Sequence, residues 1–218
     1  MSKLPIIVVG GGGHAKVLIE TLLYQQREII GIVDGDVSKI GTTVLGVPVI
    51  GGDEIVFKYS IKEICLINAL GSVKDTKLRQ YIYEKFKQRG YWFEQVIHKS
   101  AIIASDVQLD EGVQIMAGAI IQTGTSIGSN SIINTGAVID HDCRIGNHVH
   151  IAPGSVLSGG VEIGTGTHIG TGSVIIQSIT IGSNSTIGAG SVVITHMIDG
   201  ITALGVPAKI INKTSIEK

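Results

Sequence analysis

From Ile103 to Val193 every sixth residue is Ile, Leu or Val, an unbroken series of sixteen positions that runs Ile103, Leu109, Ile115, Ile121 and on to Ile181, Ile187 and Val193. A step of six fits neither the 3.6-residue turn of an amphipathic helix nor a plain two-residue alternation. It suits a short strand and a tight corner repeated around a prism. Two residues before most of these positions stands a small or branched residue, as at Ala137, Cys143, Val149, Ser155, Thr167, Ser173, Ser185 and Ser191, with Gly, Asn and Asp between. A single hexad cannot bury its own apolar side chain, so the coils must stack to form a continuous core.

The first hundred residues follow another pattern. Pro5–Gly10 reads as a strand that ends in Gly10-Gly11-Gly12-Gly13-His14-Ala15-Lys16, with helix-compatible residues to about Gln26 and a second strand, Glu28–Val33, stopping at Asp34. Lys62–Leu70 reads as a buried strand, Val73–Arg89 as a helix and Tyr91–Val96 as a last strand. Strand, Gly-rich turn, helix, strand and acid in that order is a nucleotide-binding layout. The glycines let the backbone approach a diphosphate, and the helix N-terminus offers free N–H groups. Read as GxGxxA, the matches are Gly10, Gly12 and Ala15, with Asp34 in reach of a ribose or base. Fewer than 100 residues supply about half of a doubly wound dinucleotide fold, which argues for one nucleotide and against a dinucleotide oxidoreductase.

Composition places the boundary. The one Trp, five Tyr and three Phe all lie at or before Phe93. The expected division is a Rossmann-like α/β domain over 1–96 and an all-β domain over 97–218. Residues 1–97 carry twelve Lys/Arg and ten Asp/Glu, and residues 98–218 five and eight, so neither part has the basic excess that a nucleic-acid backbone demands. Two Cys in 218 residues make no disulfide framework, which points to a cytoplasmic protein. No stretch approaches a membrane span.

Side-chain chemistry interrupts the repeat in one place, Asn134-Thr135-Gly136-Ala137-Val138-Ile139-Asp140-His141-Asp142-Cys143, followed by His148 and His150. Counted from Ile139, His141 and Asp142 take a corner, where a side chain leaves the prism. An imidazole beside a carboxylate there has the makings of a general base. His150, just before Ile151, should point outward from a flat face, with His168 stacked on it one coil later, roughly 4.8 Å away.

The repeat resembles the hexapeptide left-handed parallel β-helix, in which three hexads make one triangular coil, giving about five coils here. With the Gly-rich turn, the Asn-x6-His-acid segment and the ending Gly205-Val206-Pro207-Ala208-Lys209, the chain resembles the sugar-nucleotide N-acetyltransferases of that superfamily, which include bacillosamine acetyltransferases, and the related sialic acid O-acetyltransferases. The resemblance implies a homotrimer with acetyl-CoA as co-substrate between neighbouring β-helices, and a UDP-linked 4-amino-4,6-dideoxy sugar held by the first domain for surface glycan or glycoprotein synthesis. It assigns His141 as the catalytic base and Asp142 as the acid that raises its basicity. It puts Asn134 near the acceptor amine, His150 against acetyl-CoA, and Thr171 and Ala189 along the pantetheine arm. Gly12, Gly13 and His14 match the diphosphate side, Asp34 the nucleoside, and Gly71, on the loop after Leu70, the substrate-binding set. The histidines lack the His-x4-His pair of the gamma-type carbonic anhydrases, so no metal is expected. A sialic acid O-acetyltransferase and a non-catalytic or metal-binding solenoid are the alternatives. Cys143, at an inward position, is expected to be a poor nucleophile.

Overall fold

A computed structural model describes residues 4–72 and 75–211. The described chain forms two compact units. One holds the residues up to Gly71 together with Leu78–Val96; the other holds Ser72–Lys77 and the chain from Ile97 onward.

In the first unit five strands stand in the order β3-β4-β2-β1-β5: β1 is Ile6–Val9, β2 Ile29–Val33, β3 Thr43–Val44, β4 Val47–Gly51 and β5 Cys65–Asn68. β1 pairs in parallel with β2 on one side and β5 on the other, so chain direction around the sheet reverses at β1 and leaves a crevice beyond its C-terminal end. Ile6, Ile7, Val8 and Val9 are buried on both faces, as a near-continuous apolar run in a parallel sheet requires. Helix α1 spans Gly13–Tyr24 and buries Ala15, Leu18, Ile19 and Leu22; helix α2 spans Lys77–Lys87 and buries Ile82, Tyr83 and Phe86.

The elements depart from expectation in places. The strand expected over Lys62–Leu70 keeps only its centre, Cys65–Asn68. The expected Tyr91–Val96 strand is reduced to a parallel bridge, Leu66 to Phe93, and Val96 instead opens a two-residue strand, Val96–Ile97; the Tyr91 hydroxyl donates to the carbonyls of Val56 and Tyr59, 3.0 and 2.8 Å away. The β3–β4 hairpin was not foreseen: Leu45 and Gly46 turn it with φ of +50° and +81°. The expected helix over Val73–Arg89 is described from Lys77, and its positions 73–74 lie outside the described residues.

The second unit is a left-handed parallel β-helix whose strands line three flat faces. Each of the sixteen periodic residues ends a two-residue strand, from Ile102–Ile103 to Val192–Val193. Most of the column, with Ile151, Ile169 and Ile187 as its centre, is fully buried. Truncating Ile151 to Ala there should cost about 2–5 kcal/mol. Small buried residues fill the spaces between, and their hydroxyls are satisfied by the coil above: Ser155, Thr167 and Ser173 donate to the carbonyls of Gly170, Gly182 and Gly188 at 2.9, 2.7 and 2.9 Å. From Gly112 to Gly190 every sixth residue takes positive φ, and Asn130, Asp142, His148, Ser178 and Asn184 hold the slots that glycine does not. An ordinary side chain in that conformation costs about 1 kcal/mol, so these corners mark where another demand outweighs it. The last coil closes with the antiparallel strands Thr202–Gly205 and Ala208–Ile211. Among the described residues no helix is long and apolar enough to cross a membrane.

The outward positions differ between faces. One face presents Ile102, Ile120, Val138, Val156, Val174 and Val192 in direct register, with Ile102 64 %, Val156 37 % and Val174 36 % exposed. The next presents Gln108, Ser126, Arg144, Glu162 and Thr180. An aliphatic ladder thus stands beside a polar one on coils otherwise alike.

Candidate active site

His141 and Asp142 lie on the corner that follows the aliphatic face. Asp142 adopts φ +59°, which swings its carboxylate back so that Oδ2 accepts from His141 Nδ1 at 2.8 Å. A carboxylate only accepts, so Nδ1 carries the proton and Nε2 the lone pair. The Asp140 carboxylate accepts the His141 backbone N–H at 2.8 Å. The hydrogen bond to Asp142 is the main cause that raises the His141 pKa above its ordinary 6.5, and the charge of Asp140 adds to it. Both side chains stay accessible, at 57 % and 71 %. They line a groove of about 570 Å³ with Asp140, Ser158, Gly159, Gly160 and Gln177.

Gly159 is a site residue that the sequence reading missed. It lies one coil above His141, and a Cβ there would stand 2.6 Å from His141 Nε2. Only glycine leaves room for the ring, and the interval of eighteen residues from His141 was the available signal.

The histidines that are neighbours in sequence are separated in space. His148 belongs to another corner, where its Nδ1 pairs with Asn130 Nδ2 at 2.9 Å. His150 stacks on His168 in strand register, ring centroids 5.0 Å apart. His150 leaves the flat face as its register requires, yet it is 6 % exposed, because Ser72 covers it and its Nε2 is met by Asn134 Nδ2 at 3.1 Å. The imidazole is thus buried in this chain and braces Asn134. Asn134 occupies the corner that precedes the aliphatic face, and Thr171 and Ala189 are exposed on that same edge, one coil apart from each other. The structure thus brings Asn134, His150, Thr171 and Ala189 to one edge of the aliphatic face and His141 with Asp142 to the other. Among the described residues no group of three or more His, Cys, Asp or Glu could hold a metal ion.

Cys143 is buried, its Sγ 3.3 Å from the Ser158 carbonyl, and burial pushes its thiol pKa up. A thiol so placed is a poor nucleophile.

In the first unit the Gly-rich turn joins β1 to α1. Gly10 has φ +98° and donates to Val33 O at 2.7 Å; Gly11 N donates to Asp34 Oδ2 at 2.7 Å. Gly12 caps α1 without any side-chain bond, and a Cβ on Gly12 or Gly13 would meet nothing within 4 Å. These two glycines face open space at the positive end of a helix, an arrangement suited to an anion. Gly71 lies against His14: a Cβ on Gly71 would be 3.6 Å from the His14 Cβ. Asp34 is more occupied than expected. Its Oδ1 accepts from Asp36 N at 2.9 Å, and its Oδ2 also takes Lys39 Nζ at 2.9 Å, a partner the sequence reading did not foresee. Burial alone would raise its carboxyl; the amides of Asp36 and Gly11 and the Lys39 ammonium outweigh it and hold the pKa below the usual value. Beside it Val9, Gly10, Val33, Gly35, Leu70 and Ile82 help line a half-open cavity of about 240 Å³ at the crevice beyond β1. Arg79, fully buried, donates through Nη1 to the carbonyls of Asn68 and Leu70 at 2.6 and 2.7 Å and so shapes the loop that carries Gly71.

Residues 5–86 match the PglD N-terminal domain family, and 106–141, 124–159 and 142–177 match the bacterial transferase hexapeptide (six repeats) family. The chain is 41 % identical to perosamine N-acetyltransferase from Caulobacter crescentus, solved as a histidine-to-asparagine mutant with CoA and GDP-perosamine; the match covers 96 % of this chain and 97 % of that one at a TM-score of 0.89. It is 34 % identical to the acetyltransferase domain of PglB from Neisseria gonorrhoeae, over 96 % of this chain and all of that one, TM-score 0.88. The same domain has been solved with acetyl coenzyme A, at 35 % identity, 95 % and 98 % coverage and a TM-score of 0.87. No match was found among curated proteins.

Proposed function

The chain belongs to the sugar-nucleotide N-acetyltransferases of the hexapeptide-repeat superfamily, and from that premise we propose that His141 acts as general base in direct acetyl transfer from acetyl-CoA to the 4-amino group of a nucleotide-linked 4-amino-4,6-dideoxy sugar. The observation that carries this is the hydrogen bond from Nδ1 to Asp142, which leaves Nε2 unprotonated in a groove that Gly159 keeps open. The amine nitrogen attacks the thioester carbonyl while Nε2 takes one of its protons. The C–S bond breaks, and the imidazolium returns that proton to the thiolate, giving CoA thiol and the amide. The perosamine enzyme was crystallised with CoA and GDP-perosamine after replacement of a histidine, which is in keeping with a histidine near the reacting groups.

In place of the UDP-linked sugar expected from sequence, a GDP-linked one is the favoured acceptor, because GDP-perosamine is bound in a relative 41 % identical over nearly the whole length. The diphosphate would meet the open glycines Gly12 and Gly13, with His14 beside them; the base would enter the cavity next to Asp34.

The active unit in this reading is a homotrimer. Three copies that turn their aliphatic faces toward a common axis bury the Ile102-to-Val192 ladder. The same packing sets the His141 edge of one copy against the Asn134, Thr171 and Ala189 edge of the next, which no single copy can do. Acetyl-CoA between the two edges would supply a cytoplasmic enzyme of surface glycan or glycoprotein synthesis.

The test is thiol release from acetyl-CoA with a panel of GDP-, UDP- and TDP-linked 4-amino sugars and free sialic acids. Turnover of a GDP-linked amine above all others is expected, and thiol release with sialic acids alone would replace this reading by O-acetylation.

A further inference from the structure

Ser72, His150, His168 and Asn134 form a hydrogen-bonded group that the proton transfer at His141 does not use, and its polarity can be worked out atom by atom. The Thr135 backbone N–H can only donate, so the Asn134 atom 2.8 Å from it is the oxygen, Oδ1. That turns Nδ2 toward His150. Nδ2 also only donates, so His150 Nε2, 3.1 Å away, must be an acceptor. A neutral ring with a bare Nε2 carries its proton on Nδ1, which therefore donates to Ser72 Oγ. The Ser72 hydroxyl hydrogen is then left for Nδ1 of His168, 3.3 Å away.

Ser72, His150 and His168 are 9 %, 6 % and 7 % exposed. A polar relay this deeply buried is costly unless each member finds its partner, so its members hold one another in a single arrangement. Burial pulls the His168 pKa down, which keeps that ring neutral and able to accept. Thr76 Oγ1 donates to Gly166 O at 3.0 Å and holds the same short segment on the β-helix. The relay ends at Asn134, partly exposed on its corner, with Oδ1 taken by Thr135 and one Nδ2 hydrogen taken by His150. What Asn134 has left to offer from Nδ2 is its second N–H.

We propose that Ser72 and His168 are positioning residues of the transferase: through the tautomer of His150 they lock the Asn134 carboxamide so that it presents an N–H donor to an oxygen of the bound substrates. The proposal rests on the acetyltransferase reading above, in which Asn134 lines the shared groove. It adds two residues that touch no ligand.

Two measurements test it on the full-length enzyme. The first needs no variant: in protein labelled with 15N-histidine, His150 should show a protonated Nδ1 and an unprotonated Nε2 at neutral pH, and the opposite tautomer would overturn the relay. The second is a double-mutant cycle on kcat/KM for the amino sugar. Ser72→Ala should lower it about fivefold to tenfold, the worth of one well-placed hydrogen bond. On an Asn134→Ala background the same change should have no further effect. An equal loss on both backgrounds would mean that Ser72 only staples its segment in place, and would sink the proposal. Full turnover by a His141→Ala enzyme would sink the general-base reading instead, and would leave both of these results standing.

Discussion

The two corners that flank the aliphatic face are built from the same hexad and treat their side chains in opposite ways. At the following corner His141 and Asp142 stand more than half exposed, joined to each other by one hydrogen bond. At the preceding corner Asn134 is braced by His150, which lies under Ser72 with both ring nitrogens engaged. The open corner suits a group that must gain and lose a proton, since water and substrate need access to Nε2. The buried one suits a group that must stay still, because a satisfied polar network in low dielectric has one favourable arrangement. The chain puts the two on different edges of the aliphatic face, and in the proposed trimer a second copy would bring one to the other.

The largest effect should come from separating the edges. A Val156→Asp, Val174→Asp double variant places two charges on the aliphatic ladder; it is expected to sediment as a folded monomer and to lose thiol release altogether. A trimer with normal activity would refute the shared groove. Almost as large is the loss from His141→Ala, about a thousandfold in kcat, the usual worth of a general base. Mixing His141→Ala chains with Asn134→Ala chains should restore roughly a quarter of the wild-type rate, the share of intact grooves in randomly assembled symmetric trimers. Recovery no greater than the sum of the parents would place both residues in one copy's site.

Gly159→Ala probes the open corner alone. A Cβ 2.6 Å from Nε2 must push the ring aside, and roughly a hundredfold loss in kcat is expected with the fold intact by circular dichroism. The mildest prediction concerns pH. In the proposed reaction His141 works unprotonated, and its pKa is raised, first by the bond to Asp142, so activity should climb as pH rises through a midpoint above 6.5. Asp142→Asn keeps the side-chain shape at φ +59° but removes the charge, and so should move that midpoint to lower pH, with about tenfold lower kcat. A midpoint that stays put would show that Asp142 does not tune the base.

Much of this was legible in the chain. The interval of six named the sixteen inward residues, and Ala137, Cys143 and Ser155 were read correctly as inward because they share the column's register. The Gly-rich turn and Asp34 were legible through residue type: only glycine takes φ +98° without strain, and an acid after β2 falls beside the turn. The burial of His150 was not legible, because an outward register says nothing about what covers the face; Ser72 lies 78 residues earlier. Lys39 escaped notice for the same kind of reason, since its ammonium reaches Asp34 only after the short helical turn Val37–Lys39 folds back. The aliphatic ladder was present at an interval of eighteen, hidden within the stronger interval of six.

Local sequence determined the coil, since the same backbone preference and the same inward apolar position repeat in every hexad, although burial itself comes only when the coils stack. It determined the glycine turn and the His141–Asp142 pair for the same reason, as partners one or a few residues apart need no fold to find each other. Stacking decided everything at intervals of eighteen and beyond: that Gly159 clears the ring of His141, that two histidines share a buried serine, and that the base and the Asn134 brace fall on opposite edges of one face. Those contacts join residues that are strangers along the chain, and only the closing of each coil upon the last, or the return of the segment at Ser72 onto the coils, brings them within reach of one another.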